Sequence, residues 1–321
     1  MKVKAHQNSN SNKTQNVWIT IYLKMWKLYL HIRRFLIMLL IEFRKSKAFH
    51  IIKLHLIYPF SWKQRVALLE YKKRYANAID LCKEKLKRMK THNSKLTSEI
   101  YEYLGRNQRN LNHLEDAFSS FMTAQEFNSK SPSLYYEIGL IYFMKRDYSA
   151  ARRSMETAIK RGYDTASLRI HLGKVYYQMG MYNRAEECFA RVLNVYPREG
   201  SIHFLLGIVY KSKVDYHLAI QAFKKAIEYG SDQKEEHLGL AEIYTRLGYW
   251  REAIQEYKQI LDFDPENFIA HYFLGRIYEI LGFEDNAIHE FILANKISPD
   301  DEDTKQKLTQ LLSTPVAKVE Y

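Results

Sequence analysis

A chain of 321 residues with 46% hydrophobic and 26% charged residues has enough apolar material for a core and is not a wholly disordered polymer. Gly and Pro number only 12 and 6, which argues against a collagen-like or many-hairpin all-β protein. The two cysteines, Cys82 and Cys188, exclude a disulfide framework and any CxxC metal or redox site, and fit a reducing compartment. The net charge of +13 is unevenly held: residues 1–97 carry 22 Lys and Arg against 4 Asp and Glu, a net of +18, and residues 98–321 carry 27 against 32, a net of −5.

Residues 1–16, rich in Asn, Ser, Lys and Gln, read as a disordered tail. Residues 17–58 form a basic, densely apolar region. Within Val17–Phe43 no charge-free run exceeds seven residues, whereas a spanning helix needs about 20 apolar residues. Neither a transmembrane helix nor a signal peptide is expected. At about 100° per residue, Lys24, Lys27, His31, Arg34, Glu42 and Lys45 fall on one stripe, and only Arg33 lies opposite. That spacing predicts a basic amphipathic helix with a wide apolar face. Two placements stay open for it. It lies on an anionic membrane, with Lys24, Lys27 and Arg34 reaching the headgroups, or it packs as a cap on the elements that follow. The expected location is cytoplasmic and, in the first of these placements, peripheral at the inner face of a membrane. The alternative function is a nucleic-acid-associated protein using the same basic region, disfavoured by the net acidic body.

From Ser98 the chain repeats itself. Six segments of 34 residues align without a gap: 98–131, 132–165, 166–199, 200–233, 234–267 and 268–301. The eighth position is Gly105, Gly139, Gly173, Gly207, Ala241 and Gly275. The twentieth is Ala throughout: Ala117, Ala151, Ala185, Ala219, Ala253 and Ala287. The twenty-fourth is Phe121, Met155, Phe189, Phe223, Tyr257 and Phe291. Apolar residues spaced three and four apart predict two amphipathic helices per repeat. Small residues let the helix axes approach, and the large twenty-fourth residue fills the space beside them. Gly180, Gly248 and Gly282 fall at the turn between the helices, where a left-handed residue is needed. Pro197, Pro265 and Pro299 end the second helix. A divergent copy precedes these in 59–97, with Trp62, Val66, Tyr75, Ala78 and Cys82 in register and a linker in the polar stretch Lys87–Thr97. Residues 302–312 read as a capping helix that covers the last pair with Leu308, Leu311 and Leu312, and 313–321 as a tail.

This pattern resembles the tetratricopeptide repeat (TPR), whose period and small-residue signature it follows over residues 98–301. It departs from the family at the fourth position, where Trp is common and this chain has Tyr101, Tyr135, Arg169, His203, His237 and His271. The resemblance implies an all-α fold, a right-handed α-solenoid of stacked helix-turn-helix pairs. It also implies a non-catalytic scaffold that grips a protein or peptide segment in a concave groove. That groove is lined by the second, fifth, ninth, twelfth and thirteenth positions of the first helices. Carried onto this chain, those positions give Tyr136, Leu140, Phe143, Ile170, Lys174, Tyr177, Phe204, Ile208, Lys211, Leu238, Glu242, Arg246, Tyr272 and Arg276, with about half of the aromatics expected to be exposed. The family's clamp for Hsp70/Hsp90 C-terminal tails wants Lys at the fifth position, and no repeat here has it, so those tails are not expected as partners.

Other constellations carry no chemistry. His203, His237 and His271 recur every 34 residues, a spacing too wide for ligands that must converge within about 2 Å of one ion. They read as packing or surface. Neither cysteine has a nucleophile's setting, and no phosphate loop, HExxH, GxGxxG or GxSxG motif occurs. No catalytic residue, cofactor or metal is expected.

Overall fold

A computed structural model describes residues 61–89, 93–128, 131–230 and 233–313. The basic region with Lys24, Lys27 and Arg34, and the tail beyond residue 313, lie outside them. The described residues form fifteen α-helices and no strand. In chain order they are α1 (Trp62–Tyr71), α2 (Tyr75–Arg88), α3 (Ser94–Asn110), α4 (Leu114–Phe127), α5 (Pro132–Met144), α6 (Tyr148–Lys160), α7 (Ala166–Gln178) and α8 (Tyr182–Leu193). Then follow α9 (Gly200–Ser212), α10 (Tyr216–Glu228), α11 (Gln233–Leu247), α12 (Trp250–Phe263), α13 (Phe268–Ile280), α14 (Glu284–Ile297) and α15 (Glu302–Ser313). Odd-numbered helices up to α13 are the first of each pair.

The chain divides into two compact units, Met1–Leu168 and Arg169–Tyr321. In the first, each helix from α1 to α6 packs on its neighbour in sequence, and α3 also touches α5. In the second the same holds from α8 to α15, and α9 touches α11. This is an all-helical repeat fold built from helix pairs.

The repeat chemistry explains the packing. All six alanines of the twentieth position are 0% exposed, so no larger side chain fits there without displacement. Gly207 marks a very close approach within a pair, matched at Gly173. A Cβ built on Gly207 would lie 2.6 Å from Phe223 Cε1, and Gly239 on the next pair presses on the same ring from its other side at 2.7 Å. Phe223 is thus clamped between two bare backbones and is 1% exposed.

The turn inside every pair contains one residue in the left-handed region. It is Gly180, Gly248 and Gly282 in three pairs, and Lys73, Asn112, Arg146 and Val214 in the other four. The sequence marks only the three glycines, because the backbone geometry is set by the helix ends that flank the turn and the residue type follows loosely. Second helices then start from a side-chain cap where one is present: Asp147 accepts from the Ala150 N–H at 2.9 Å and Asp215 from that of Leu218 at 3.4 Å.

Two boundaries differ from expectation. The polar stretch read as a linker is partly helical: α3 begins at Ser94, and its first turn is held by Asn93, whose side chain accepts from Leu96 N–H at 3.0 Å and whose carbonyl accepts from the Thr97 hydroxyl at 2.9 Å. The residues inserted relative to the period therefore lengthen α3 to 17 residues, where the first helices α5 and α9 have 13. In α15, Leu308 and Leu311 are half-buried, but Leu312 is 67% exposed and does not cover the last pair. The cap is seated instead by Thr304, which is 0% exposed, by a hydrogen bond between Tyr272 and Asp303, and by a Lys307–Glu279 ion pair at 2.9 Å.

Candidate functional site

The first helices carry the positions implied for partner binding, and each unit builds that face differently. In the second unit an apolar strip runs over α9 and α11. Phe204, Ile208 and Leu238 are half-buried and rest on the core formed by Ala219, Phe223, Leu240 and Tyr244. Phe204 tilts against Phe223 at 5.9 Å between ring centroids. On α7, Ile170, Lys174 and Tyr177 are all half-buried. The Tyr177 hydroxyl bonds the Ser212 hydroxyl at 3.1 Å, and its ring leans on Tyr182 at 5.7 Å. Lys211 pairs with Glu242 at 2.7 Å, so those two opposite charges neutralise one another. Arg246 is exposed. Arg276 donates to the Tyr272 hydroxyl at 3.0 Å, which hardens the far end of the face.

In the first unit Phe143 is half-buried, its ring 6.0 Å from that of Tyr148. Two implied groove residues are interior instead: Tyr136 and Leu140 are 7% and 6% exposed. The ring of Tyr163 packs 5.6 Å from that of Tyr136, whose hydroxyl bonds Ser167 at 2.8 Å. Burial pushes the Tyr136 phenol above its ordinary pKa. The loop and helix start that follow α6 thus cover a position expected to be open, and Tyr136 is a packing residue.

What the sequence missed lies beside it. Glu70 on α1, Glu102, Arg106 and Arg109 on α3, and Glu137 on α5 converge on the same face. Arg106 Nε lies 3.4 Å from one Glu137 oxygen, and Arg109 Nη1 lies 3.1 Å from the other. The Arg106 guanidinium also sits over the Tyr103 ring at 4.9 Å. Burial works against the Arg106 charge, but Glu137, Glu70 and Glu102 outweigh it and hold its pKa above the ordinary value. Glu102, Arg106 and Arg109 occupy the fifth, ninth and twelfth positions of the first repeat. Applying the groove rule to that repeat as well as to the central ones would have found them.

The histidines of the fourth position are structural. His203 and His271 are 8% and 6% exposed, and the Nε2 of each bonds the carbonyl of the proline six residues before it, Pro197 or Pro265, at 3.0 Å. His237 and His271 also bond Glu256 and Glu290 at 2.5 and 2.6 Å. They tie a first helix to the preceding loop, and to its own partner helix, where the family commonly places Trp.

Comparisons with known proteins agree with this architecture. One family model described as TPR repeat matches residues 241–282, and one described as tetratricopeptide repeat matches 136–182 and 171–236. No curated protein matches the chain. Among solved structures, the C-terminal part of a TPR repeat-containing protein from Cytophaga hutchinsonii aligns at TM-score 0.62 and 16% identity, over 77% of this chain and 99% of that one. The APC/C hetero-tetramer Cut9–Hcn1 aligns at TM-score 0.56 and 18% identity over 81% of this chain, which spans about half (51%) of the matched one. Pseudomonas aeruginosa PilF aligns at TM-score 0.55 and 16% identity, over 68% of this chain and 99% of its own. At such identities the likeness establishes the fold. Taken with the family matches, the 34-residue period, the buried alanine of every pair and the left-handed turn, it places this chain among the tetratricopeptide-repeat proteins.

Proposed function

We propose that the chain is a non-catalytic interaction scaffold, and that residues 169–313 grip a partner segment on the face of their first helices. Proteins of this repeat fold generally act as protein-interaction scaffolds. The observation that carries the reading here is the strip Phe204, Ile208 and Leu238, half-buried on consecutive first helices, with the cation Lys174 at a groove position of the neighbouring α7 and Arg246 at one on α11 itself. An apolar floor flanked by cations fits one side of an amphipathic helix or an extended segment bearing carboxylates. Such sites concentrate their binding energy in a few apolar anchors. In the full chain, Phe204→Ala combined with Lys174→Glu is expected to weaken capture of a partner protein at least about tenfold while the helical circular dichroism is kept. Unchanged capture would sink the reading.

Attachment of the scaffold to a membrane rests on a separate observation, the +18 net charge of residues 1–97. No helix among the described residues is long and apolar enough to cross a bilayer. We propose peripheral attachment through Lys24, Lys27 and Arg34 at the cytoplasmic face. Each cation contributes about 1 kcal/mol on anionic lipid. Reversing all three to Glu is expected to abolish flotation with phosphatidylserine vesicles. Flotation that survives the reversal, or binding to RNA or DNA in place of vesicles, would overturn this attachment.

A further inference from the structure

We propose that the first-helix face of the other unit, residues 61–168, takes a basic partner segment that inserts an arginine side chain between Glu70 and Glu102. This deepens the scaffold reading and rests on it, but the surface, the charge and the partner chemistry differ from those of Phe204 and Lys174.

The cluster is one cation short. Glu70, Glu102 and Glu137 supply three carboxylates against the guanidiniums of Arg106 and Arg109, and both guanidiniums pair with Glu137. Among the described residues, Glu70 accepts from the Asn107 amide alone, at 2.8 Å. Among them Glu102 accepts from two hydroxyls alone, Ser131 at 3.0 Å and Ser133 at 3.4 Å. Neither has an ion-pair partner within salt-bridge distance among the described residues, and burial raises the pKa of each above its ordinary value. A half-buried carboxylate without a cation is a costly arrangement that a chain rarely keeps for stability.

A second observation points to a missing donor. Asn107 is 0% exposed, and its amide nitrogen faces Glu70, yet its Oδ1 is buried with no hydrogen-bond partner. Glu70, Glu102 and the Asn107 Oδ1 therefore leave acceptor capacity unmet near Arg106, whose Nε is itself buried, 3.4 Å from Glu137 and without a hydrogen bond. A guanidinium brings five N–H groups in a fixed fork and stays charged when desolvated, which suits several acceptors better than the single ammonium of Lys.

The test uses the full chain and three fluorescent peptides of one Ala/Leu host sequence, bearing Arg, the neutral isostere citrulline, or Glu at the central position. Fluorescence anisotropy is expected to rank Arg above citrulline by about tenfold and Glu last, with the Arg preference shrinking at high salt. It should also weaken as pH falls, because a carboxyl whose pKa is raised by burial takes up its proton at a higher pH than a free one. The variant Glu70→Gln with Glu102→Gln keeps side-chain size and is expected to erase the Arg preference with an unchanged melting temperature or a higher one. Glu187→Gln, at an exposed position on α8 in the other unit, should leave the preference intact. Equal binding of the Arg and citrulline peptides, or an Arg preference that survives the double variant, overturns the proposal. So does a full chain that binds none of the peptides while the double variant lowers its melting temperature, because the chain's own basic segment then fills the site. These failures are distinguishable from failure of the scaffold reading, which is read separately from partner capture by the Phe204 and Lys174 variant.

Discussion

Val214 holds φ of 63° at the α9–α10 turn, and its side chain is 64% exposed. A β-branched residue gains nothing there from packing and bears the left-handed clash of Cβ with the following carbonyl, roughly 1–2 kcal/mol. Glycine removes that clash and gives back about 0.5–1 kcal/mol through the freedom of the unfolded chain. Val214→Gly is thus expected to stabilise the protein by about 0.5–1 kcal/mol, seen as a higher denaturant midpoint. A lower midpoint would mean that the turn is not strained. Tyr257 gives a second prediction. It stands where most repeats have Phe, it is 0% exposed, and burial pushes its phenol up to about 12. Its folded pKa lies above the unfolded value of about 10. The neutral form is therefore favoured by folding, in full below pH about 10, and that contribution is lost as pH rises toward 12. Tyr210, also raised to about 12, and Cys82, raised from 9.0 to about 12, act in the same direction. Melting temperature should fall steeply over that range, and Tyr257→Phe should move the alkaline midpoint upward. An identical alkaline midpoint in the variant would refute the assignment.

Each helix reads its neighbours more than its own sequence. The 34-residue spacing locates the helix pairs because the small residues at the eighth and twentieth positions obey one packing rule in every copy. It misplaces the start of α3, since a polar run looks like a linker until Asn93 is seen capping it. It also leaves Tyr136 open, because the ring and hydroxyl that cover it come from Tyr163 and Ser167, beyond the helix that carries it. The acid–base cluster was hidden for the same reason: Glu70, Arg106 and Glu137 sit in three different copies, and no single copy contains the arrangement. Bonds of this kind recur about one period apart. Glu102 meets Ser133, Lys211 meets Glu242 and Tyr272 meets Asp303, each pair 31 residues apart. The end helix α15 is held by the last of these and by Lys307–Glu279. Removing Glu302–Ser313 strips the cover from α14 and α13 and should lower the melting temperature by several degrees, about 2–4 °C per kcal/mol lost in a chain of this size. An unchanged melting temperature would show that α15 does not cap the array.

At the scale of the whole chain, charge and apolar surface are sorted by region. The two cations near the Phe204 strip, the extra carboxylates around Arg106 and the basic residues before Ser61 are three chemically distinct features of one polypeptide. The fold class was legible from periodicity alone, because a repeat states the same packing solution many times. The identity of a partner is not, because groove positions are released from that constraint and vary from copy to copy. One consequence follows from bonds that reach only the adjacent pair. Among the described residues the helix contacts within each unit join a pair to its neighbour, so loss of an end pair leaves that neighbour as the new end. A protease acting on such ends removes one pair per successful opening. Limited digestion should then yield bands stepping by roughly 4 kDa, the mass of one copy, and the survival time of each band would rank the joints from weakest to strongest.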